Sequence, residues 1–448
     1  MKAFHAYDIR GVYNEDFNKE DAYKIGFFLP ELLSTKRILI GRDVRTSSPE
    51  IFEYLSNGIK DAGADVYDAG LCTTPMIYWL TATFDFEASV MITASHNSKE
   101  YNGMKISKAM AKPVGYDTGL STLEQMIKGE IKVNNNKGKV IDFDKHQDYI
   151  KFQRKYLPKD IGNLNLTIDC SNGMAALLIK DIIGDNHNYL FDILDGTFPN
   201  HEANPLVPEN VIDLQKAVIN NNSDLGIIFD GDADRVMFVD EKGKFISPDL
   251  MIAVLGHYFL KDNQQTTHVL QDIRSSKAVS EYLNKIGNVK VHTWKVGRAF
   301  AALKLADIDA KFGGELAGHY YFKDFYYSDS GILAMLILID VVAKMKAEGK
   351  TVSKLIDDIK AYANSGEINY RIEKKAEAME KIKNHFEKTE KVDKLMDFDG
   401  YRLEFNDWWF NIRPSNTEPY LRLIVEAKSE ELLKEKLEII NNLLKEFI

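Results

Sequence analysis

The chain reads as an α/β protein built from several successive domains, and three observations carry that reading. At 448 residues it is too long for one core, and length alone points to roughly three domains. Short apolar runs ending in polar loops alternate with helical patterns, the mark of a mixed or parallel sheet. The same plan recurs about three times, and near Gly366 closely spaced strands and a terminal amphipathic helix take over. The expected architecture is three consecutive α/β mixed-sheet domains plus a C-terminal α+β domain around a central cleft. The units are placed at 1–150, 151–248, 249–365 and 366–448. The repetition is one of plan, without clear residue-level identity.

The elements follow in order. Tyr7-Asp8-Ile9-Arg10-Gly11 reads as a charged turn, and Arg37–Arg42 as a buried strand ending in a charged loop. Ser48 and Pro49 suit the N-cap and first position of a helix carrying Ile51, Leu55 and Ile59 on one face. Ala64–Gly70 is a strand, Pro75 opens a helix, and Ala88–Thr93 runs as a strand into Ala94-Ser95-His96-Asn97. The Asn- and Lys-rich stretch 129–145 reads as a linker. In the second unit Leu164–Asp169 is a strand, Met174–Ile183 a helix, and two prolines keep His201–Asn210 irregular. Apolar strands flank Asp230-Gly231-Asp232-Ala233-Asp234-Arg235. In the third, the strand at His268–Leu270, the run Val289–Val296 and the loop from Ala310 to His319 lead to a buried helix over Ile332–Val342. The last unit offers a charged helix over Lys374–Lys391, strands at Tyr401–Phe405, Trp408–Ile412 and Tyr420–Ala427, and a helix from Ser429.

Composition excludes several classes. Hydrophobic residues at 45% and charged residues at 28% are ordinary for a globular protein. Two cysteines, Cys72 and Cys170, imply no disulfide framework and fit a reducing cytoplasm. The first residues lack an apolar h-region, and no apolar run is long enough for a membrane span. A net charge of -10 argues against nucleic-acid binding, so an anionic substrate must be gripped by local basic residues.

Four loops carry the candidate chemistry. Ser95 sits where a strand delivers a side chain to the mouth of a sheet, and a serine hydroxyl needs neighbours such as His96, Asn97 and Lys105 to become a nucleophile. A capping serine in a polar turn would look the same. Asp230, Asp232 and Asp234 repel one another unless a cation compensates, and hard oxygen ligands suit Mg²⁺ or Ca²⁺. A calcium-binding EF-hand loop needs glycine where Arg235 stands, and needs flanking helices where strands are read, so Mg²⁺ is expected. Gly313-Gly314-Glu315 and Gly318-His319 supply a carboxylate suited to sugar hydroxyls and an imidazole that is either an acid–base group or a loop histidine. Arg413-Pro414-Ser415-Asn416-Thr417 gathers a guanidinium, hydroxyls, an amide and backbone N–H groups, as phosphate binding requires.

Taken together, and in this order, the motifs Thr93-Ala94-Ser95-His96-Asn97, Asp230-Gly231-Asp232-Ala233-Asp234-Arg235, Gly314-Glu315-Leu316-Ala317-Gly318-His319 and Arg413-Pro414-Ser415-Asn416-Thr417-Glu418-Pro419 resemble those of the α-D-phosphohexomutase superfamily, most closely its phosphomannomutase/phosphoglucomutase branch. The resemblance covers essentially the whole chain. It implies an isomerase of carbohydrate metabolism that interconverts hexose 1-phosphate and hexose 6-phosphate, mannose preferred and glucose possible. Ser95 would carry the phosphoryl group. Asp230, Asp232 and Asp234, with the Ser95 phosphate, would hold one Mg²⁺ per chain. Arg10, His96, Lys105 and Arg235 would line the reacting phosphate. Lys295, Gly297 and Arg298 would form part of the third-domain wall, Glu315 and Ala317 would meet the sugar, and Arg413, Ser415, Asn416 and Thr417 would hold the phosphate that is not reacting. The general acid and base are left open among His319, Lys105 and His96. A hexose 1,6-bisphosphate is implied as intermediate and activator. The implied partners are small-molecule sugar phosphates, with no nucleic acid or membrane, on a monomer or weak homodimer.

One departure stands out. The sugar loop of this branch carries Glu-Met-Ser, whereas here it is Glu315-Leu316-Ala317, so one hydroxyl is missing. The glucosamine branch has a glutamine before its serine, which Leu316 does not match. Phosphoglucosamine mutase, a metal-dependent sugar phosphatase and a catalytically silent sugar-phosphate- or calcium-binding protein are the alternative readings.

Overall fold

Four sheets follow one another along the chain in the computed structural model, which describes residues 2–159, 161, 164–260, 265–415 and 420–447. In the first, Arg37–Arg42 lies between Asp65–Leu71 and Ala88–Ile92, parallel to both, and Tyr101–Lys108 closes one side antiparallel. Every residue of Ala88–Ile92 is buried, as a strand covered on both faces must be. The helices Lys19–Leu33 and Ser48–Asp61 cover one face. They approach so closely that a Cβ on Gly26 would stand 2.1 Å from Leu55 O, and one on Gly58 2.0 Å from Tyr23 O.

Several local expectations are corrected. Arg10 lies in an edge strand, Ile9–Val12, opposite Gly103, whose missing side chain lets the strands meet. Ser47, not Ser48, is the residue before the helix, and its side chain caps no helix N–H, while the Ser48 hydroxyl donates to Asp43 Oδ1 at 2.6 Å. The stretch 129–145 is not wholly a linker, since Val140–Asp142 adds a parallel strand beside Asp65–Leu71. The helix expected over Met174–Ile183 breaks at Leu178 into a 3₁₀ turn and a short α-helix.

The second sheet sets Leu225–Phe229 parallel to Leu166–Asp169 and antiparallel to Val236–Asp240, so the acidic loop is a true strand-to-strand connection, as expected from its flanks. The third runs Val289–Trp294, Thr267–Asp272, Phe312–Gly314, Tyr320–Phe322 and Ser328–Asp329, backed by the buried helix Gly331–Ala347. One continuous apolar core joins these units, drawing Met76 to Leu80 from the first, Ile227 and Phe238 from the second and Leu333 to Ile339 from the third.

The fourth sheet, antiparallel and covered by Lys375–Thr389 and Glu430–Leu444, has its own core around Phe386, Phe410 and Val425. It is tied to the third unit by polar contacts. Arg402, stacked 3.7 Å from the Trp409 ring centre, donates from Nη1 to Ile273 O at 2.9 Å and to Ser275 O at 2.6 Å. Among the described residues no helix is long and apolar enough to cross a membrane.

Candidate active site

Ser95 sits in left-handed backbone (φ 52°), a conformation that costs a non-glycine residue energy and persists only where the surroundings enforce it. The Ser95 N–H donates to Thr93 Oγ1 at 2.9 Å. The Arg45 guanidinium, itself buried, donates to the carbonyls of Ser95 (3.0 Å), Asn97 (2.6 Å), Ser98 (2.6 Å) and Tyr101 (3.0 Å). One planar fork thus folds the whole loop over itself, which a single ammonium cannot do.

The loop meets the acidic hairpin directly. Ser95 Oγ donates to Asp230 Oδ2 at 2.7 Å, and a Cβ on Gly231 would lie 2.5 Å from Ser95 O. The three aspartates are all buried, with carboxylate oxygens within 4.8 Å of one another. Burial first, then the charges of Asp234 and Asp232, push the Asp230 carboxyl well above its ordinary range. Asp234 is also opposed by burial, but the Lys105 ammonium beside it holds it low. Lys105 Nζ spans Asp232 Oδ2 at 2.7 Å and Asp234 Oδ2 at 2.5 Å, and Thr74 Oγ1 donates to Asp232 Oδ2 at 2.5 Å. Burial opposes the Lys105 charge, but these carboxylates outweigh it and keep an ammonium. Asp232 Oδ1 and Asp234 Oδ1 are buried without a hydrogen-bond partner. Unsatisfied buried carboxylate oxygens beside Asp230 are the donor set a hard divalent cation takes, so the residues fit Mg²⁺.

Cations surround this pole. Arg10 Nη1 donates to Asn97 Oδ1 at 2.8 Å and Nη2 to Asp8 Oδ2 at 2.5 Å. His96 Nδ1 stands 3.5 Å from Ser95 Oγ; its burial, then Arg235, Arg10 and Lys105, hold the imidazole well below its ordinary pKa. Arg235 Nε donates to His319 Nε2 at 2.9 Å. Guanidinium nitrogen only donates, so Nε2 carries no proton and Nδ1–H donates to Asp329 Oδ2 at 2.6 Å. Asp329 Oδ1 in turn accepts from Arg298 Nε at 3.1 Å.

Arg298 has protein partners on the first unit as well: its guanidinium stacks 3.6 Å from the Tyr78 ring centre, and Nη2 donates to Ala111 O at 2.9 Å. Lys295 lies 5.3 Å over the Phe300 ring, and the Gly297 N–H donates to Glu315 Oε1 at 3.2 Å. Ala317 is half-buried in the same loop.

A second cationic group gathers where the fourth unit meets the third. Arg413 is buried, 3.8 Å from Asp399, and lies directly across the ladder from Arg422. Burial, then Arg274, lowers its pKa. Guanidiniums paired across strands repel; Glu367, 3.2 Å from Arg422 and 3.8 Å from Arg274, and Asp399 offset part of that repulsion. Ser415 N–H donates to Tyr420 O at 2.9 Å, while Asn416 and Thr417 lie outside the described residues.

Sequence reasoning missed Arg45, Thr74, Arg274, Tyr321 and Asp329. A signal existed for two of them. Asp43-Val44-Arg45 and Asp272-Ile273-Arg274 end equivalent strands, and in both the arginine N–H donates to its aspartate Oδ1 (3.0 and 2.8 Å) and Nε to Oδ2 (3.2 and 3.1 Å). Asp169 caps the Ser171 N–H in the same way at 2.8 Å. An aspartate therefore caps the strand end in all three units, though the arginine follows it in only two.

Family models agree with this arrangement along the chain. Residues 1–134, 143–243 and 247–362 match alpha/beta/alpha domains I, II and III of phosphoglucomutase/phosphomannomutase, and 367–442 match its C-terminal domain. The chain is 36% identical to a phosphomannomutase of Methanocaldococcus jannaschii, over 99% of this chain and 98% of the relative. It is 35% identical to a phosphomannomutase of Escherichia coli, over 97% of each. A phosphoglucomutase/phosphomannomutase family protein of Burkholderia thailandensis superposes with a TM-score of 0.89 at 26% identity, covering 99% of this chain and 97% of that one. Fold and matches together define an isomerase of the phosphohexomutase class. The chain belongs to the phosphoglucomutase/phosphomannomutase family.

Proposed function

We propose that the chain interconverts hexose 1-phosphates and hexose 6-phosphates, mannose preferred, through a phosphoserine at Ser95 and a hexose 1,6-bisphosphate intermediate. The observation that carries this reading is the presence of two cationic groups: Ser95 among Arg10, Lys105 and Arg235, and, next to the Glu315 loop, the Arg274, Arg413 and Arg422 group. A substrate bearing one phosphate, and an intermediate bearing two, needs both.

In the first transfer the phosphoryl group leaves Ser95 Oγ for the free hydroxyl of the hexose monophosphate, whose proton passes to a base near His319 or His96. The bisphosphate turns in the cleft, and its other phosphate returns to Ser95 Oγ as the proton is given back. Arg10, Lys105 and Arg235 stabilise charge spread over the moving phosphoryl oxygens. Asp230, Asp232 and Asp234 would hold one Mg²⁺ with the Ser95 oxygen, and bound there it neutralises charge on the transferring group. Glu315 accepts sugar hydroxyls, and the fourth unit excludes water that would hydrolyse the phosphoserine. Free hexose 1,6-bisphosphate acts as activator by restoring phospho-Ser95.

A coupled assay with Mg²⁺ and a trace of hexose 1,6-bisphosphate, run on mannose, glucose and glucosamine 1-phosphates, tests the reading. Turnover of mannose 1-phosphate, lost in Ser95→Ala, is expected. Release of inorganic phosphate without isomerisation would make the protein a phosphatase instead.

A further inference from the structure

Glu315 is the one carboxylate on the sugar loop, and the residue two places on, Ala317, brings no hydroxyl to support it. The support comes from the next strand. Tyr321 Oη donates to Glu315 Oε1 at 2.8 Å, and the Gly297 N–H donates to the same oxygen at 3.2 Å. Both side chains are buried, Tyr321 wholly so.

The Tyr321 ring cannot swing away. It packs with Leu270, Ala301, Leu305 and Ala310, and its backbone pairs with Gly313 across the hairpin. The loop is held independently: Glu315 N–H donates to His319 O at 2.9 Å, and Leu316 N–H to Asp272 Oδ2 at 3.0 Å. With backbone and Oε1 both fixed, the carboxylate plane is fixed, and Oε2 stands 4.0 Å from Arg274 Nη2. The burial that keeps Tyr321 protonated also keeps it a donor. A carboxylate pinned at one oxygen offers a sugar hydroxyl one acceptor in one direction. A carboxylate free to rotate offers two in many, and discriminates less between epimers.

We infer that Tyr321 is a specificity-determining positioning residue, whose hydroxyl locks Glu315 so that Oε2 alone reads the hydroxyls of the hexose phosphate. The inference rests on the mutase reading above.

Tyr321→Phe removes one buried hydroxyl and keeps the ring, so the hairpin core is preserved. It is tested in a double-mutant cycle with Glu315→Ala, which removes the acceptor, measuring kcat and KM for mannose 1-phosphate and glucose 1-phosphate. Tyr321→Phe is expected to lower kcat/KM for the preferred sugar about tenfold, through KM with kcat within about twofold, and to shrink the preference between the two sugars. In the Glu315→Ala background the same change is expected to alter kcat/KM less than about twofold, because the acceptor it acts through is gone. Tyr321→Phe kinetics unchanged from the wild type would overturn the inference, as would an equal loss in both backgrounds, which marks a merely structural hydroxyl. Thermal unfolding of each variant separates either result from misfolding. Absence of isomerisation by the wild type would sink the mutase reading itself and is seen before any Tyr321 variant is made.

Discussion

The Ser95 hydroxyl and the Asp230 carboxylate meet at 2.7 Å although they come from different units of the chain. The contact depends on backbone closeness as well as side-chain chemistry. A Cβ at Gly231 would stand 2.5 Å from Ser95 O, and Gly173 presses on Gly231 O from behind, where a Cβ would lie at 2.7 Å. Neither loop has room to yield.

Gly231→Ala is therefore expected to push the acidic hairpin off the Ser95 loop while leaving both sheets intact. A displacement of this kind costs on the order of 100-fold in kcat. The check is the mutase assay beside thermal unfolding; a variant that folds and turns over within twofold of the wild type would show that the gap is not needed.

Arg45 is the second prediction. It serves four carbonyls and Asp43 from a site 1% exposed. Arg45→Met leaves Asp43 as a buried unpaired charge and is expected to cost about 3–5 kcal/mol in unfolding free energy. Arg45→Lys keeps the charge but reaches fewer carbonyls. It is expected to fold, lose on the order of tenfold in kcat, and show faster amide exchange across 95–101 than the wild type. Unchanged exchange with unchanged rate would remove Arg45 from the account of the loop.

What could be read from sequence was what lies close together along the chain. Asp230, Asp232 and Asp234 share six residues with Arg235, and their flanking apolar runs made strands the better reading than helices. Arg413 and Ser415 were legible for the same reason. What escaped were partnerships across units. Nothing local to Asp329 says that its two oxygens will divide between His319 and Arg298, and nothing local to Thr74 points to Asp232. Arg298 was expected in the third-domain wall only through the family resemblance; its contacts with Tyr78 and Ala111 arise when the third unit docks on the first. The repeated Asp-x-Arg at 43–45 and 272–274 was visible, but short identities carry little weight until the matching hydrogen bonds are seen.

Asp329 carries a third prediction. Its Oδ2 accepts from the His319 Nδ1–H, leaving Nε2 to accept from Arg235. Asp329→Asn places an N–H donor in reach of Nδ1 and favours the other tautomer, which cannot accept from Arg235. Activity is expected to fall by roughly ten- to a hundredfold. Nitrogen-15 spectra of histidine-labelled protein are expected to show the His319 proton moved from Nδ1 to Nε2. Loss of activity with the tautomer unmoved would mean that Asp329 acts through Arg298 instead.

The fourth unit supplies a pH dependence. Glu426 is buried where the fourth unit meets the third: Oε2 accepts from Ser276 Oγ and Trp409 Nε1, each at 2.7 Å, and Oε1 from Asn364 Nδ2 at 2.7 Å. Burial, then the charge of Asp249, raises its pKa from 4.5 to about 7, and the three donors only partly offset this. Between those two values the folded chain keeps a proton that the unfolded chain gives up. The stabilising contribution is therefore full below the unfolded value and is lost as pH rises through about 7, beyond which it stays flat. The shift corresponds to on the order of 3 kcal/mol. Urea unfolding of the wild type is expected to show stability falling between about pH 5 and pH 8 relative to Glu426→Gln, which cannot titrate there. Because Ser276 and Arg402 join the same two units, the loss falls on their contact, and proteolysis at the segment before Gly366 is expected to quicken over the same interval. Parallel wild-type and Glu426→Gln profiles would mean that Glu426 is ionised throughout and that its three donors outweigh its burial.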